Sequence, residues 1–412
     1  MREGWKEVTI DNVCQVGDGA HASIKRVDSG IPYLTSKNFD VNGINYNKLE
    51  FISEESYNKH FKENSKAITK PKENDILLSI IGSLGSGYIV NNEDVFGLSS
   101  SVSILRPNVD VNSKFLLYWM KGTYFQKSIE NIKSGVAQSF LSLGMIKKLP
   151  VLLPPLETQK KIASILSGYD DLIENNLKRI KILEEMAQQT YEEWFVRMRF
   201  PGHDASRASA SLNPETGLPE GWEKVKLGDL GEIVTGKTPS TSKEEYYNGD
   251  IPFIKTPDMN GSVYVIETNQ YLTQQGSDVQ KNKILDKNDI VVSCIGSAGA
   301  YALVSRPSQF NQQINAIRFN KDEYVYFTFC YAKGLKEILQ ALGSNGATMT
   351  NVSKGKFEQI EIILPNKELL AKFHQFAKPC FESILNLQNQ NQRLREARDI
   401  LLPRLMMGMV EV

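Results

Sequence analysis

Cysteine and histidine are scarce in this 412-residue chain: four of each, Cys14, Cys294, Cys330 and Cys380, and His21, His60, His203 and His374. Neither set has the close spacing of a zinc site, and no CxxC pair occurs, so no metal centre and no disulfide framework are expected. A run of eighteen apolar residues is also missing, as is a basic-then-apolar leader, which excludes an obvious membrane span and gives a soluble, cytoplasmic expectation. Excess charge of one sign is lacking too. Lysine plus arginine number 48 and aspartate plus glutamate 48, a formal net charge of zero. Nucleic-acid binding would therefore have to rest on local patches or on basic partners. The length suits two or three domains.

The sequence holds a tandem repeat. GWKEVTIDNV from Gly4 returns as GWEKVKLGDL from Gly221, and IPYLTSKNFDVNG from Ile31 as IPFIKTPDMNG from Ile251. NDILLSIIGSLGSGYIV from Asn74 is answered by NDIVVSCIGSAGAYALV from Asn288. SGVAQSFLS from Ser134 and IKKLPVLLPPLETQKKIASIL from Ile146 return from Ser344 and Phe357. Within each copy, Asp75 to Ile81 and Asp289 to Ile295 read as buried strands closed by Gly-Ser turns. Helical spacing follows near Ser113 to Ile132 and Glu323 to Leu342. Pro-bounded apolar strands, Leu149 to Leu153 and Ile360 to Leu364, close the copies.

A long helix with a seven-residue apolar period follows each copy. In the first, Leu166, Ile173, Ile180, Ala187 and Trp194 alternate with Ile162, Tyr169, Asn176, Leu183 and Thr190. In the second, Phe373, Cys380, Leu387, Leu394 and Leu401 alternate with Ala377, Ile384, Asn391 and Arg398. The two seams suit one coiled coil, with Asn176 and Asn391 as polar interruptions able to fix register; parallel and antiparallel pairing both stay open. Trp194 and Phe195, at the end of the first helix, could anchor a partner or cap the coiled-coil core, and core is the favoured reading. The expected architecture is α+β. Two pseudo-repeated mixed α/β domains, 1–154 and 219–365, are followed by helices 155–200 and 366–412, with a Ser-, Ala-, Gly- and Pro-rich linker at 201–218.

Catalytic signatures are missing as well. A DNA-base methyltransferase should show a Gly-rich S-adenosylmethionine loop and an Asn/Asp-Pro-Pro-aromatic tetrapeptide, but Pro154-Pro155 sits in LLPPLE. A metal-dependent nuclease needs clustered carboxylates and a lysine; Asp258 and Glu267 are followed by Thr268, Asn269 and Gln270. GEIVTGKT, Gly231 to Thr238, satisfies the phosphate-loop pattern, yet no apolar helix stripe follows it. The first copy has Cys14 in place of Gly231 and Ala20 in place of Lys237. The glycines of GSLGSG at Gly82 and GSAGA at Gly296 read as a turn needed twice for folding.

The order of these elements, with YEEWFVRMRFPG from Tyr191 and LNPETGLPEGW ending at Trp222, resembles the specificity subunit of type I restriction-modification enzymes over essentially the whole chain. That resemblance implies a non-catalytic prokaryotic protein whose two domains each read one half of a bipartite, asymmetric DNA target. It implies an antiparallel helix pair acting as spacer, and as partners double-stranded DNA, two modification subunits and restriction/translocase subunits. S-adenosylmethionine, ATP and Mg²⁺ would be bound by those partners and no cofactor by this chain. A forty-residue helix spans about 60 Å, which bounds the outer target at roughly seventeen base pairs. Two other classes stay open: a self-sufficient endonuclease or methyltransferase, and a structural coiled-coil adaptor.

The family's recognition domains vary, so contact residues are chosen here by chemistry alone, as polar or cationic side chains expected on loops. In the first domain these are His21, Ser23, Lys25, Lys37, Asn38, Ser83, Gln138 and Ser139. In the second they are Lys237, Thr238, Thr241, Lys255, Thr256, Ser297, Gln312, Gln313, Thr348 and Thr350. Leu166, Ile173, Ile180, Leu183, Trp194, Phe195, Phe373, Leu387, Leu394 and Leu401 are the expected spacer and partner positions.

Overall fold

Strands with three consecutive apolar residues need cover on both faces, and the repeated Asp-Ile blocks supply them. In a computed structural model, which describes residues 3–40, 43–63, 67–82, 84–134, 140–202, 213, 215–259, 261–343 and 350–412, the chain divides into two units. One is Met1–Leu172 with Leu394–Val412; the other is Ile173–Arg393.

In the first unit an antiparallel sheet runs in the order Cys14–Asp18, Val102–Pro107, Ile76–Ser79, Gly87–Ile89. Side chains alternate across it. Ile76 and Leu78 enter a core with Phe115, Trp119 and Ile146, whereas Leu77 joins Val102, Ile104 and Leu34 on the other face. The second face is covered by a small sheet, Glu50–Ile52, Ile31–Leu34 and Gly97–Leu98. Helices Ser113–Lys121 and Thr123–Ser134 follow; Asn112 starts the first of them by accepting from the Phe115 N–H at 3.0 Å. Strand Pro150–Leu153 returns to pair with Lys6–Thr9 and closes the module.

The second unit repeats this plan. Its sheet runs Gly231–Thr235, Ile314–Phe319, Ile290–Ser293, Tyr301–Val304, with a fifth strand, Tyr264–Val265, added in parallel. Ile290 and Val292 face one core and Val291 the other. Backbone bonds correspond one for one: Asn74 N–H to the Val90 carbonyl and Asn288 N–H to Val304, both 2.9 Å, and Gly85 N–H to Ser79 at 3.1 Å with Gly299 N–H to Ser293 at 2.9 Å. Asn74 and Asn288 share left-handed backbone, φ 69° and 76°, which asparagine tolerates better than most residues. The turn glycines also match, Gly82 with Gly296 at φ 75° and 78°. The left-handed turn glycine is therefore built into both copies.

The long helices are Leu156–Tyr191, continued by a wider π-type turn Glu192–Val196, and Lys367–Met406. Within the second unit Asn176 bonds Asn391 while Tyr191 and Trp194 meet Phe373 edge to face. Residue numbers rise along one helix as they fall along the other, so the pairing is antiparallel. Ile173 and Ile180 are buried, and Leu183 is half-buried against a core that holds Phe373, Ile384 and Leu387. Phe195 is buried among Phe327, Phe373 and Trp222. Within the first unit Asp170 meets Arg398, and Ile162 and Leu166 share a core with Leu405 and Met406, again antiparallel. The seven-residue series extends less far than its spacing suggests. Leu394 and Leu401 are only half-buried and the deeper positions pass to Leu405 and Met406, because a straight helix drifts from a strict heptad.

Candidate nucleic-acid interface

Loops at one end of each main sheet are pinned together by backbone and side-chain bonds. In the second unit the Lys237 N–H donates to the Phe310 carbonyl at 3.0 Å, and the Asn311 N–H to Ile254 at 3.1 Å. The Cys294 N–H donates to Gln313 at 2.9 Å and the Val352 N–H to Cys294 at 3.0 Å. Strand Ile295–Gly296 pairs with Thr350–Asn351. These bonds gather Lys237, Thr238, Lys255, Thr256, Ser297, Gln312, Gln313 and Thr350 into one polar loop cluster; no such bond ties Thr241 to it among the described residues. Lys237, Thr241, Ser297 and Gln312 are exposed; Thr238, Lys255, Thr256, Gln313 and Thr350 are half-buried.

Several of these side chains hold one another. Thr238 donates its hydroxyl to Gln312 Oε1. Asn311 Nδ2 donates to Gln313 Oε1 at 3.0 Å, and the Thr256 and Ser293 hydroxyls lie 3.4 Å apart. The Lys255 ammonium sits 5.9 Å from the Phe253 ring centre.

The first unit builds the same cradle. The Ala20 N–H donates to Leu98 at 2.8 Å, Ser99 to Leu34 at 2.9 Å, Ile80 to Ser101 at 3.1 Å and Leu141 to Ile80 at 2.9 Å. His21, Ser23, Lys25 and Lys37 are exposed on it, and His21 Nε2 lies 2.8 Å from an Asp18 carboxylate oxygen. Asn38 is a correction. It is only 5% exposed, and its Oδ1 accepts from the Thr35 N–H at 2.9 Å and the Thr35 hydroxyl at 3.2 Å while Nδ2 donates to the Asn45 carbonyl. The carboxamide closes a turn and offers no edge to a ligand. Ser83, Gln138, Ser139 and Thr348 lie outside the described residues.

Ser99, Ser100 and Ser101 belong to this cradle and escape a reading by residue type. Their place corresponds to Asn311, Gln312 and Gln313, a match visible by aligning GLSSSV with QFNQQI. The glycines are explained by close approach: a Cβ at Gly19 would lie 2.2 Å from the Leu98 carbonyl oxygen, and one at Gly236 would lie 2.1 Å from that of Asn311.

The same geometry disposes of the phosphate-loop pattern. Gly231–Thr235 is a strand paired with Ile314–Phe319, where a phosphate loop needs those residues to curl. Only a three-residue helical turn, Glu244–Tyr246, follows. Asp258, one of the two spaced carboxylates, is consumed by its own loop, accepting from the Lys255 N–H at 2.8 Å and from Asn269 at 3.1 and 2.7 Å. Burial pushes the Cys14 thiol up to about 12 and that of Cys294 to about 11, the opposite of what a nucleophilic thiolate requires. Among the described residues no helix is long and apolar enough to cross a membrane.

Comparison with known proteins gives a consistent picture. The model of the type I restriction modification DNA specificity domain matches residues 2–185 and again 219–390. The chain is 30% identical to the HindI type I restriction enzyme specificity subunit of Haemophilus influenzae, covering 82% of this chain and 86% of that one. It is 28% identical to the MjaIX specificity subunit of Methanocaldococcus jannaschii, covering 99% and 94%. The crystal structure of a type I restriction-modification S subunit from M. genitalium superposes with a TM-score of 0.59 at 18% identity, over 97% of this chain and 96% of that chain, a likeness of fold.

Proposed function

This chain belongs to the type I restriction modification DNA specificity family, whose domain it carries twice, and on that premise we propose that 1–154 and 219–365 are target-recognition domains reading the two halves of a bipartite, asymmetric DNA sequence. The observation that carries the reading is a loop cradle built twice on matching backbone bonds but furnished differently, with Ser99-Ser100-Ser101 in one copy and Asn311-Gln312-Gln313 in the other. A shared scaffold with unlike polar edges suits two unlike half-sites. The remaining loop candidates, His21, Ser23, Lys25 and Lys37 in the first domain and Lys237, Lys255 and Ser297 in the second, would divide between base edges and phosphates.

In this reading the chain does no covalent chemistry. Its helices 155–200 and 366–412 form the spacer and the seat for two modification subunits, which would bring S-adenosylmethionine and methylate adenine. Restriction subunits would supply the ATP- and Mg²⁺-dependent steps, all in a prokaryotic cytoplasm. The electroneutral composition agrees with binding that leans on partners. The test is to assemble the chain with a type I modification subunit, supply S-adenosylmethionine, and map methylation on random-sequence DNA. An interrupted motif with unlike halves is expected. A continuous or palindromic motif would overturn the reading, as would methyl transfer or cleavage by the purified chain alone with Mg²⁺.

A further inference from the structure

At one place in the two cradles the backbone is shared and the chemistry is not. In the first unit the turn Ser99-Ser100-Ser101 is closed by the Ser99 hydroxyl, which accepts from the Ser101 N–H at 3.3 Å. In the second, Asn311 Oδ1 accepts from the Gln313 N–H at 3.2 Å. The flanking residues hold the turn in both cases, and the tip is left to differ: Ser100 in one copy, Gln312 in the other. Asn311 also engages Gln313, whose Oε1 accepts from Asn311 Nδ2 at 3.0 Å, which leaves Gln312 as the exposed amide of the turn.

Gln312 is positioned before any ligand arrives. The hydroxyl of Thr238, from the loop after strand Gly231–Thr235, donates to its Oε1. A carboxamide oxygen accepts two hydrogen bonds and its nitrogen donates two, so this contact uses one of four possible bonds. An acceptor beside a donor complements the N6 amino group and N7 of adenine in the major groove. A side chain already held loses less freedom on binding. A serine hydroxyl at the same tip pairs with any base and carries no such preference.

Resting on the DNA-specificity reading above, we infer that Gln312 reads an adenine in the half-site of the second domain, with Thr238 as its positioning residue. The pair is a determinant of the difference between the two half-sites. The first domain, with Ser100 at the tip, does not select adenine there.

The experiment compares wild type, Gln312→Ala, Gln312→Glu, Thr238→Val and Thr238→Ser, each assembled with a type I modification subunit and scored by methylation rate on a DNA library randomised in both half-sites. Gln312→Ala is expected to erase a roughly ten- to hundredfold preference for A·T at one base pair of one half-site and to leave the other half-site unchanged. Gln312→Glu should move that preference toward cytosine, whose amino group donates to a carboxylate. Thr238→Val should weaken selection at the same base pair, and Thr238→Ser should retain it. A uniform loss on all sequences would make Gln312 a phosphate contact and overturn the inference, as would an unchanged profile. A wild-type complex with no sequence preference would bring down the DNA-specificity reading itself and the inference with it.

Discussion

Asn176 donates from Nδ2 to Oδ1 of Asn391 at 2.9 Å, with the two residues only 7% and 1% exposed in the seam of the helix pair, and the buried Nδ2 of Asn391 has no hydrogen-bond partner among the described residues. Two positions 215 apart in sequence thus meet in one polar layer.

That layer is expected to cost stability and set alignment. Asn176→Ala should lower unfolding free energy by about 1–3 kcal/mol, because it strands Asn391 entirely. The double replacement Asn176→Leu with Asn391→Leu should be neutral or stabilising, since both polar groups go together. Urea titrations of wild type, Asn176→Leu, Asn391→Leu and the double variant measure the coupling; a double variant less stable than both of these singles would refute this account.

Arg106 forms a two-pronged pair with Asp75, Nε to Oδ1 at 2.9 Å and Nη2 to Oδ2 at 2.7 Å, and the Asp75 side chain is only 2% exposed. Arg106→Met should therefore destabilise the first unit by about 3 kcal/mol, because the buried carboxylate loses its counter-charge and keeps the Lys72 N–H, 2.8 Å away, as a donor. Fluorescence of the buried Trp119 would follow the transition during denaturation. A midpoint equal to wild type would show that the carboxylate finds water instead.

The equivalent arginine of the second unit, Arg318, turns to Glu232 at 3.1 Å and to the carbonyls of Asn282 and Ile284. Burial then raises the Asp289 carboxyl to about 6 from an ordinary 3.8. The folded state favours the protonated form. Its stabilising contribution is full below about pH 4 and is lost as pH rises through about 6. Asp289→Asn, which can still accept from the Asp286 N–H, should therefore raise the melting temperature at pH 7.5 more than at pH 4.5. Equal shifts at both pH values would assign the effect to packing.

Leu405 and Met406, near the chain's end, are buried in the core that holds Trp5, Phe115 and Leu166. Tyr118 and Arg398 fasten the same region, both bonding Asp170 at 2.5 Å. Leu405→Ala should cost about 2–4 kcal/mol, seen as earlier loss of the Trp119 signal on heating. If the first unit melted unchanged, the terminal segment would be only loosely docked.

Much of this was legible in the sequence. The Asp-Ile strands, the turn glycines and the Pro-bounded closing strands carry their own local chemistry, so the duplicated order reads directly, and both helices follow their seams through Asn176 and Asn391. The loops read less well, because a side chain's use depends on neighbours that only folding supplies. Asn38 looks like a base reader by type, yet Thr35 and Asn45 consume it; its Thr-x-x-Asn spacing was the available clue. Gln312 and Thr238, 74 positions apart, meet because two loops share one end of a sheet. Nor does a heptad count reveal that residues after Leu394 complete the core of the first unit.

That last arrangement has a consequence for biosynthesis. The first unit ends its amino-terminal stretch at Leu172 and takes its remaining part from Leu394 onward. At 5–20 residues per second, translating the intervening stretch takes on the order of ten to forty seconds. During that interval the apolar positions that Leu405 and Met406 will cover stand open on the nascent chain, so a stretch made after the whole intervening unit finishes the fold of a domain begun before it.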